Sequence, residues 1–181
     1  QYIEKCIQSV LNQTYKSIEV IVVDNGSTDD SLEKIRTFSH DSRVIIIELK
    51  ENIPPGSGTN SAFRIAFNKS NGNYIGILYA DDWYLPDKIE EQIDLFDKLP
   101  NSVGIVYCHG YRYSEKYKTK VEWKYQSVRG YVFKDYLLRG DVVIPISPLV
   151  KRYCYDIIGL ENIWTGSEYD FLVMSQYVDF D

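Results

Sequence analysis

Apolar residues along the chain follow two spacings, and the alternation of these spacings predicts helices and strands in turn. Three- and four-residue spacing predicts helices, and short apolar runs rich in β-branched residues predict strands. The elements predicted in the first half are a helix over 2–11, a strand over 18–23, a helix ending near 38, a strand over 43–49, a helix over 60–69, a strand over 74–78 and a helix over 88–99. This order predicts an α/β fold with a mostly parallel, Rossmann-like sheet flanked by helices.

The second half of the chain has a less regular pattern. Its predicted elements are a strand over 103–113, an exposed hairpin over 114–124, a short amphipathic helix over 128–138, a strand over 144–150, a helix over 151–158 and a last helix from 171 to about 177. Prolines interrupt the apolar run over 144–150, so we expect a bent strand or an edge strand there.

The segment Tyr74–Pro86 joins a buried strand to a pair of acidic residues, Asp81 and Asp82. A strand of a parallel sheet delivers the residues that follow it to the carboxyl edge, where open α/β sheets bind ligands. Mg²⁺ takes one or two carboxylates together with substrate phosphates, so this pair is a candidate seat for a metal–diphosphate. The alternative is a polar turn in which Asp82 starts the next helix, and the dipeptide alone does not separate the two interpretations.

Polar loops follow the two strands that come earlier in the chain. The first loop, Asp24–Ser31, begins with an acid at a strand end, and Ser27 or Thr28 has the chemistry to cap the following helix. The second loop, Lys50–Thr59, contains the run Pro54-Pro55-Gly56-Ser57-Gly58. A phosphate cradle is one interpretation, but the loop lacks both the ending of a P-loop and the dinucleotide-binding glycine pattern. We therefore interpret it as a mobile connection near the site.

Composition narrows the classes of function. With 181 residues, 44% of them hydrophobic and 25% charged, the chain has the size and composition of one folded domain. Its formal net charge is −6 and it has no basic run, which argues against nucleic acid as a partner. A bridging cation still allows such a protein to bind a diphosphate. The apolar runs are too short to span a bilayer, and the three scattered cysteines are typical of reduced thiols in a cytoplasmic setting.

Several segments together make the sequence similar to the family-2 glycosyltransferases, which have the glycosyltransferase A-type nucleotide-diphospho-sugar transferase fold. The most specific segment is Glu19–Asp29, which reads Glu-Val-Ile-Val-Val-Asp-Asn-Gly-Ser-Thr-Asp. The other matching segments are Ser9–Tyr15, Tyr74–Asp82 with Leu85-Pro86 behind it, Ile158–Leu160 and Ser167–Asp170. The resemblance covers nearly the whole chain.

The resemblance implies an inverting enzyme that moves a sugar from a nucleotide-diphosphate donor to an acceptor hydroxyl on a glycan or a lipid-linked acceptor. Asp24 would contact the base or ribose, Asp81 would bind the Mg²⁺ or Mn²⁺ that grips the diphosphate, and Glu168 would be the catalytic base. The implied site residues are Asp24, Asn25, Gly26, Ser27 and Asp81 for the nucleotide-sugar, Asp81 and Asp82 for the metal, and Glu168 with Asp170 as fallback for catalysis. Structural roles compete with two of these: Asp24 as a helix cap and Glu168 as an acid at a helix start.

The sequence departs from the family pattern at three places. The family's opening strand has no counterpart within the chain, so we expect residues 1–181 to be a single glycosyltransferase A-type domain truncated at its N-terminus, with a C-terminal truncation left open. Tyr79 stands where an acid often begins the Asp-x-Asp motif, and Ser167-Glu168 stands in place of Glu-Asp.

Two other functions are compatible with the same residues. One is a catalytically inactive module that binds a nucleotide-sugar, and the weaker alternative is a nucleotidyltransferase, which would release pyrophosphate from a nucleoside triphosphate. Donor binding without transfer to any acceptor would favour the inactive module. The family-level expectation is surface polysaccharide or glycan synthesis in the cytoplasm, with peripheral association at the inner face of the membrane through segments outside this chain as a further option.

Overall fold

The computed structural model describes residues 2–54, 61–166 and 168–181 and shows helices packed on β-sheets. The helices are α1 (Ile3–Leu11), α2 (Ser31–Arg36), α3 (Ala62–Lys69), α4 (Lys88–Phe96), α5 (Phe133–Arg139), α6 (Tyr153–Ile158) and α7 (Glu168–Met174). The strands are β1 (Val20–Asn25), β2 (Val44–Leu49), β3 (Tyr74–Gly76), β4 (Val103–Val106), β5 (Gly110–Ser114), β6 (Thr119–Trp123), β7 (Leu149–Lys151) and β8 (Asp179–Phe180). Within these described ranges, no helix has the length and apolar character needed to cross a bilayer.

Strands β1 and β2 form a parallel two-stranded sheet in which Val20 lies opposite Val44. Both strands are rich in β-branched residues, which suit a pleated, half-buried surface. Helices α1 and α2 pack on this sheet around a small apolar core. That core consists of Ile7, Leu11 and Ile35, packed against Ile3, Val20, Val22, Phe38, Val44 and Ile46. The strand residues in it alternate along each strand, so one face of the sheet meets the helices.

The second sheet has four strands in the order β3–β7–β4–β8. Its last two strands are parallel, like β1 and β2, but β7 runs antiparallel to both of its neighbours. Only Leu149–Lys151 forms this strand, which is shorter than the predicted 144–150, because Pro145 and Pro148 cannot donate to a β-ladder. The largest apolar cluster packs α3, α5, α6 and α7 against this sheet.

The segment 103–113, predicted as one strand, is divided into two. The first part, β4, is fully buried in the second sheet. The second part, β5, starts at Gly110 and pairs antiparallel with β6 in a separate two-stranded hairpin. The exposed hairpin predicted over 114–124 is therefore confirmed, but it starts earlier in the chain. An apolar run shows neither where a strand leaves its sheet nor which partner it takes.

The helix predicted over 128–138 begins only at Phe133. The backbone N–H of Val128 donates to the Tyr107 hydroxyl at 2.8 Å, and that hydroxyl donates back to the carbonyl of Val128 at 2.7 Å. Gly130 forms an isolated antiparallel bridge with Phe180. These contacts use the backbone polar groups of this segment outside a helix, so the helix starts after them.

A slot separates the sheet of β1 and β2 from the four-stranded sheet. Among the described strands, β1 pairs only with β2 and β3 pairs only with β7, so each has an open backbone edge. A cavity of about 740 Å³ lies between them, lined by residues 17–23 and 70–80 and by apolar side chains of α1 and α4. Successive side chains of a strand point to opposite faces of its sheet. A cavity lined by consecutive residues is therefore bordered by the edges of the strands as well as by their faces. An open edge is a template for another strand. The predicted single domain with a strand ahead of residue 1 is not tested by these contacts and stays a prediction.

We expect an extended apolar segment placed in this slot to stabilise the protein. The test is a fusion of about six β-branched residues, joined ahead of residue 1 by a flexible linker, since β1 itself has 6 residues. Each buried Val or Ile contributes about 1.5–3 kcal/mol, and ordering each residue costs about 1–2 kcal/mol. The expected gain of about 3 kcal/mol corresponds to a rise in Tm of roughly 5–10 °C, measured by scanning calorimetry.

The control for this fusion carries proline at every second position. Proline has no N–H to donate to either strand edge, so the control should melt like the unfused chain. Equal melting temperatures for the two fusions would show that the slot does not accept a strand.

Candidate functional site

Asp24 lies at the carboxyl end of β1, where the first predicted site residue was expected. The residue is 4% exposed, and its Oδ2 accepts a hydrogen bond of 3.3 Å from the backbone N–H of Ser27. Its Oδ1 is buried and has no hydrogen-bond partner among the described residues. The competing role as a helix cap is not observed, since α2 begins at Ser31 with Asp30 at its N-cap position. A buried oxygen without a donor is costly, so this position suits a ligand that brings an N–H or O–H group.

The two residues after Asp24 connect the end of β1 to the segment after β2 by hydrogen bonds and close backbone packing. The side chain of Asn25 donates to the carbonyl of Ile53 at 3.0 Å and accepts from the N–H of Ile53 at 2.9 Å. Gly26 has φ +72°, and a Cβ at this position would lie 2.7 Å from the backbone nitrogen of Asn52. Only glycine fits both the left-handed backbone and this close approach. Of the Lys50–Thr59 loop, residues 55–59 lie outside the described residues, so the two interpretations of that loop stay untested.

Asp81 and Asp82 lie in a turn beyond the end of β3, in which the N–H of Asp82 donates to the carbonyl of Tyr79 at 3.0 Å. Asp81 is exposed and Asp82 half-buried. Burial, and then the charge of Asp81, raise the pKa of Asp82 above its usual range. Neither carboxylate forms an ion pair with a described lysine or arginine. The alternative in which Asp82 starts a helix is not observed, because α4 begins at Lys88.

Hydrogen bonds from Ser9 in α1 and from Gln13, just after this helix, fix the chain that follows these acids, and sequence reasoning did not assign these roles. The fully buried amide of Gln13 donates to the carbonyl of Leu85 at 2.6 Å and accepts from the N–H of Ile89 at 3.0 Å. The hydroxyl of Ser9 accepts from the N–H of Tyr84 at 3.1 Å. The available signal was that Ser9 and Gln13 both lie in the Ser9–Tyr15 segment of the family resemblance, to which no role was attached.

Asp170, the predicted fallback base, is fully buried and holds a backbone loop. Its carboxylate accepts hydrogen bonds from the backbone N–H groups of Trp164, Thr165 and Gly166, at 2.8, 2.9 and 2.6 Å. Burial raises the pKa of Asp170, and these three donors oppose that shift. Each oxygen therefore accepts at least one backbone N–H group and holds this loop in place, and the role of Asp170 as fallback base stays a prediction.

Glu168, the predicted base, is exposed at the first position of α7. Its φ of +33° is rare for a residue with a side chain, and such strained backbone is concentrated at functional sites. The preceding Gly166 has φ +86°, and a Cβ there would lie 2.4 Å from the Phe63 ring and 2.8 Å from Ile77. This close packing brings the loop before α7 to the end of β3, on the side of Asp81 and Asp82. Ser167 lies outside the described residues.

Arg64 on α3 supports the same loop, a role that no pattern in the sequence indicated. Its Nη2 donates to the carbonyls of Glu161 at 2.5 Å and Ile163 at 2.9 Å, and the residue is 4% exposed. Its Nε and Nη1 are buried and have no hydrogen-bond partner in the described part of the chain. Together with Asp170, Arg64 therefore fixes both ends of the segment that precedes Gly166.

The acidic residues fit only a metal site in which the protein supplies few of the ligands. No group of three or more His, Cys, Asp or Glu side chains within 2–54, 61–166 and 168–181 is placed to hold a metal ion. Two adjacent carboxylates without a cationic partner match the small protein share of a Mg²⁺ site, in which substrate phosphates and water complete the coordination. The metal prediction for Asp81 and Asp82 is thus compatible with the geometry and stays a prediction.

Comparison with known proteins places this arrangement in a family. The family model for glycosyl transferase family 2 matches residues 1–149. An uncharacterized glycosyltransferase of Rickettsia prowazekii is 33% identical over 192 residues, which cover 99% of this chain and 58% of that protein. Chondroitin synthase of Escherichia coli is 40% identical over 99 residues, 54% of this chain and 14% of the synthase. The chain thus spans little more than half of the R. prowazekii relative.

A solved structure shows the same fold at much lower identity. The S. aureus protein TarS, crystallised in complex with UDP-GlcNAc, superposes with a TM-score of 0.67 at 13% identity, covering 98% of this chain and 49% of that chain. The predicted α/β fold of glycosyltransferase A type, with parallel strands and flanking helices, is confirmed. By the match of the family model over most of its length, this chain belongs to glycosyl transferase family 2.

Proposed function

We propose that the chain is the donor-binding part of an inverting glycosyltransferase, which moves a sugar from a nucleoside-diphosphate donor to an acceptor hydroxyl. The observation that carries this proposal is the orphaned, buried Oδ1 of Asp24 at the carboxyl end of β1. Ligands of open α/β sheets bind at that edge. A nucleoside supplies the missing donor through a base N–H or a ribose O–H, and the TarS structure with UDP-GlcNAc supports a donor of this class.

The loop over Asp24–Ser27 would form the nucleoside side of the donor site. The hydrogen bonds between Asn25 and Ile53 hold this loop in place, and the absence of a side chain at Gly26 allows the two segments to touch. A site held in this way before binding loses little freedom when the donor enters, which favours affinity.

Asp81 and Asp82 would form the diphosphate side, through Mg²⁺ or Mn²⁺. When bound, the cation supplies Lewis-acid stabilisation of the charge that develops on the departing diphosphate. Mutual repulsion with Asp81 contributes to the raised pKa of Asp82, and a shared cation removes that repulsion. Asp81, the more exposed of the two, is the principal ligand in this proposal.

Glu168 would take the proton of the acceptor hydroxyl. The acceptor oxygen forms a bond to the anomeric carbon while the bond from that carbon to the diphosphate oxygen breaks, and the electron pair leaves with the diphosphate. The proton passes to the Glu168 carboxylate. One displacement without a covalent intermediate inverts the anomeric carbon. Glu168 is exposed and can meet an incoming acceptor, whereas Asp170 is fully buried and both of its oxygens already accept backbone N–H groups.

The acceptor in this proposal is a glycan or a lipid-linked glycan, assembled at the cytoplasmic face of a membrane. Relatives named as glycosyltransferases, chondroitin synthase among them, support the glycan class. Transfer separates this proposal from a catalytically inactive binding module, and release of nucleoside diphosphate instead of pyrophosphate separates it from a nucleotidyltransferase.

The first prediction concerns Asp24. Asp24→Asn should weaken UDP binding about tenfold, because an amide N–H₂ replaces an acceptor that the nucleoside needs. The melting temperature of the ligand-free protein should stay the same or rise, since a buried acceptor oxygen without a donor is removed. Isothermal titration and thermal melting measure the two effects. A variant that binds UDP as tightly as the original protein would remove Asp24 from the site.

The second prediction concerns the metal. UDP should raise the melting temperature more strongly with Mn²⁺ present, and Asp81→Asn should lose this Mn²⁺-dependent part while it keeps the metal-free part. Asp87→Asn is the matched control, because Asp87 is an exposed acid six positions further along the chain. Unchanged metal dependence in Asp81→Asn would show that the cation is held elsewhere.

The third prediction separates the two acids near α7. Glu168→Gln should bind UDP-GlcNAc normally and slow transfer by roughly 10²–10⁴-fold, the usual contribution of a general base. The measurement is the rate at saturating donor over a panel of oligosaccharide acceptors. Asp170→Asn should instead lose about 1–3 kcal/mol of stability, because an amide cannot accept all three backbone N–H groups. Near-normal rates in Glu168→Gln, beside a folded but inactive Asp170→Asn, would move the base to Asp170.

A further inference from the structure

The hairpin of β5 and β6 carries an unusual share of the positive charge of this acidic chain. Residues 110–125 contain five lysines and arginines and two glutamates, a net charge of +3 in a chain whose formal net charge is −6. Most of the hairpin is exposed, and it forms a sheet of its own. Five aromatic residues lie in the same segment, at Tyr111, Tyr113, Tyr117, Trp123 and Tyr125.

One face of the hairpin presents aromatic rings and cations together. Tyr111 and Tyr113 lie on the same face, and the strand register places Lys120 opposite Tyr113. The Lys120 ammonium lies 3.6 Å from the centre of the Tyr111 ring. The two tyrosines are 51% and 40% exposed, so their rings remain open to a ligand.

This face continues directly into the candidate site. Tyr113 packs edge-on against Trp83, with ring centres 5.9 Å apart, and Trp83 immediately follows Asp82. The Lys5 ammonium lies 3.1 Å from the centre of the Trp83 ring and 5.8 Å from that of Tyr113. Lys5, Trp83, Tyr113, Tyr111 and Lys120 therefore form a continuous strip, here named the aromatic–lysine strip, that starts beside Asp82.

Neither lysine of the strip is neutralised by a carboxylate. In the described part of the chain, the ion pairs of the hairpin are Lys118 with Glu115 and Lys124 with Glu122, and neither Lys5 nor Lys120 forms one. Glu122 lies opposite Tyr111 on the same face, but its carboxylate pairs with Lys124, so the ammonium groups of Lys5 and Lys120 border the exposed rings without an ion pair among the described residues. Aromatic rings stack on the C–H faces of pyranose sugars, and ammonium groups pair with carboxylate, sulfate or phosphate groups.

We propose that the aromatic–lysine strip binds the acceptor, and that the acceptor is an anionic glycan. This inference rests on the proposed function, because a glycan bound to the strip is an acceptor only if sugar transfer takes place beside Asp82. The rings hold successive sugars, and Lys5 and Lys120 pair with acidic groups along the chain. A nucleic acid strand would also stack on the rings and pair with lysines. The strip has only two cations, however, and it lies beside the two acids Asp81 and Asp82. A glycan with sparse acidic groups suits this charge distribution better than a polyphosphate with one charge on every nucleotide.

The test measures binding of a chondroitin hexasaccharide to the full chain, with a neutral chitin hexasaccharide and a single-stranded deoxythymidine hexamer as comparison ligands. Titration calorimetry should show the chondroitin hexasaccharide bound at least about fivefold more tightly than the other two. Tyr111→Ala and Lys120→Gln should each weaken it about 5- to 10-fold, the range of an aromatic or cationic contact at a surface.

The opposite face of the hairpin supplies matched controls. Arg112 and Trp123 form a similar pair, with the guanidinium carbon 4.1 Å from the ring centre, but the alternation along the strands puts them on the other side. Arg112→Gln and Trp123→Ala should therefore leave hexasaccharide binding unchanged. UDP affinity should be the same in all four variants, since the strip contains none of the proposed donor residues.

Each outcome separates this inference from the proposed function. Normal UDP binding with unchanged hexasaccharide binding in Tyr111→Ala and Lys120→Gln would overturn the strip and leave the donor site standing. Equal binding of the neutral hexasaccharide would overturn the anionic acceptor, and tighter binding of the deoxythymidine hexamer would make the strip a nucleic-acid surface. Failure of UDP and of every other common nucleoside diphosphate to bind the original protein would instead overturn the proposed function itself.

Discussion

The buried amide of Gln13 is a central interaction between the part of the chain that carries β1 and β2 and the part that follows β3 in the four-stranded sheet. These sheets share no strand pairing among the described residues. Helix α1 packs its apolar face on β1 and β2, and Gln13, just after the end of α1, binds the backbone at Leu85 and Ile89, beyond β3. The amide also donates to the carbonyl of Ser9 at 3.0 Å. A buried polar group satisfied in this way fixes its partners strongly, because the low local dielectric strengthens each bond.

This connection has a direct consequence for the candidate site. Asp24 belongs to the sheet of β1 and β2, whereas Asp81 and Asp82 follow a strand of the other sheet. The distance between the nucleoside side and the diphosphate side of the proposed donor site is therefore set by α1 and by the packing around the slot. The carboxylates on both sides are without ion pairs within the described ranges. Carboxylates without ion pairs suit a site that binds a cation together with a ligand that brings hydrogen-bond donors.

The two acids near α7 differ in burial and in their contacts, although they are only two positions apart. Asp170 is buried and accepts three backbone N–H groups, and Arg64 holds the preceding residues through two carbonyls. Glu168, two positions earlier, is exposed and has a strained backbone. A strained residue persists only where its surroundings determine its conformation. The buried acid and the arginine provide those surroundings, so the exposed acid is presented on a rigid support.

The sequence by itself determined the type and order of most elements, because hydrophobic spacing and β-branched runs are local properties. It also indicated that Asp24 lies at the end of a strand and that Asp81 and Asp82 come after one, and the resemblance identified the family from the same segments. Only the tertiary structure decided that 103–113 divides between two sheets, that β7 is antiparallel, and that a slot lies between β1 and β3. The burial of Asp170 and the exposure of Glu168 also depend on Arg64, Phe63 and Ile77, which are distant in sequence. Strand partners and burial are set by such long-range contacts, which leave no periodic signal in the segment that they act on.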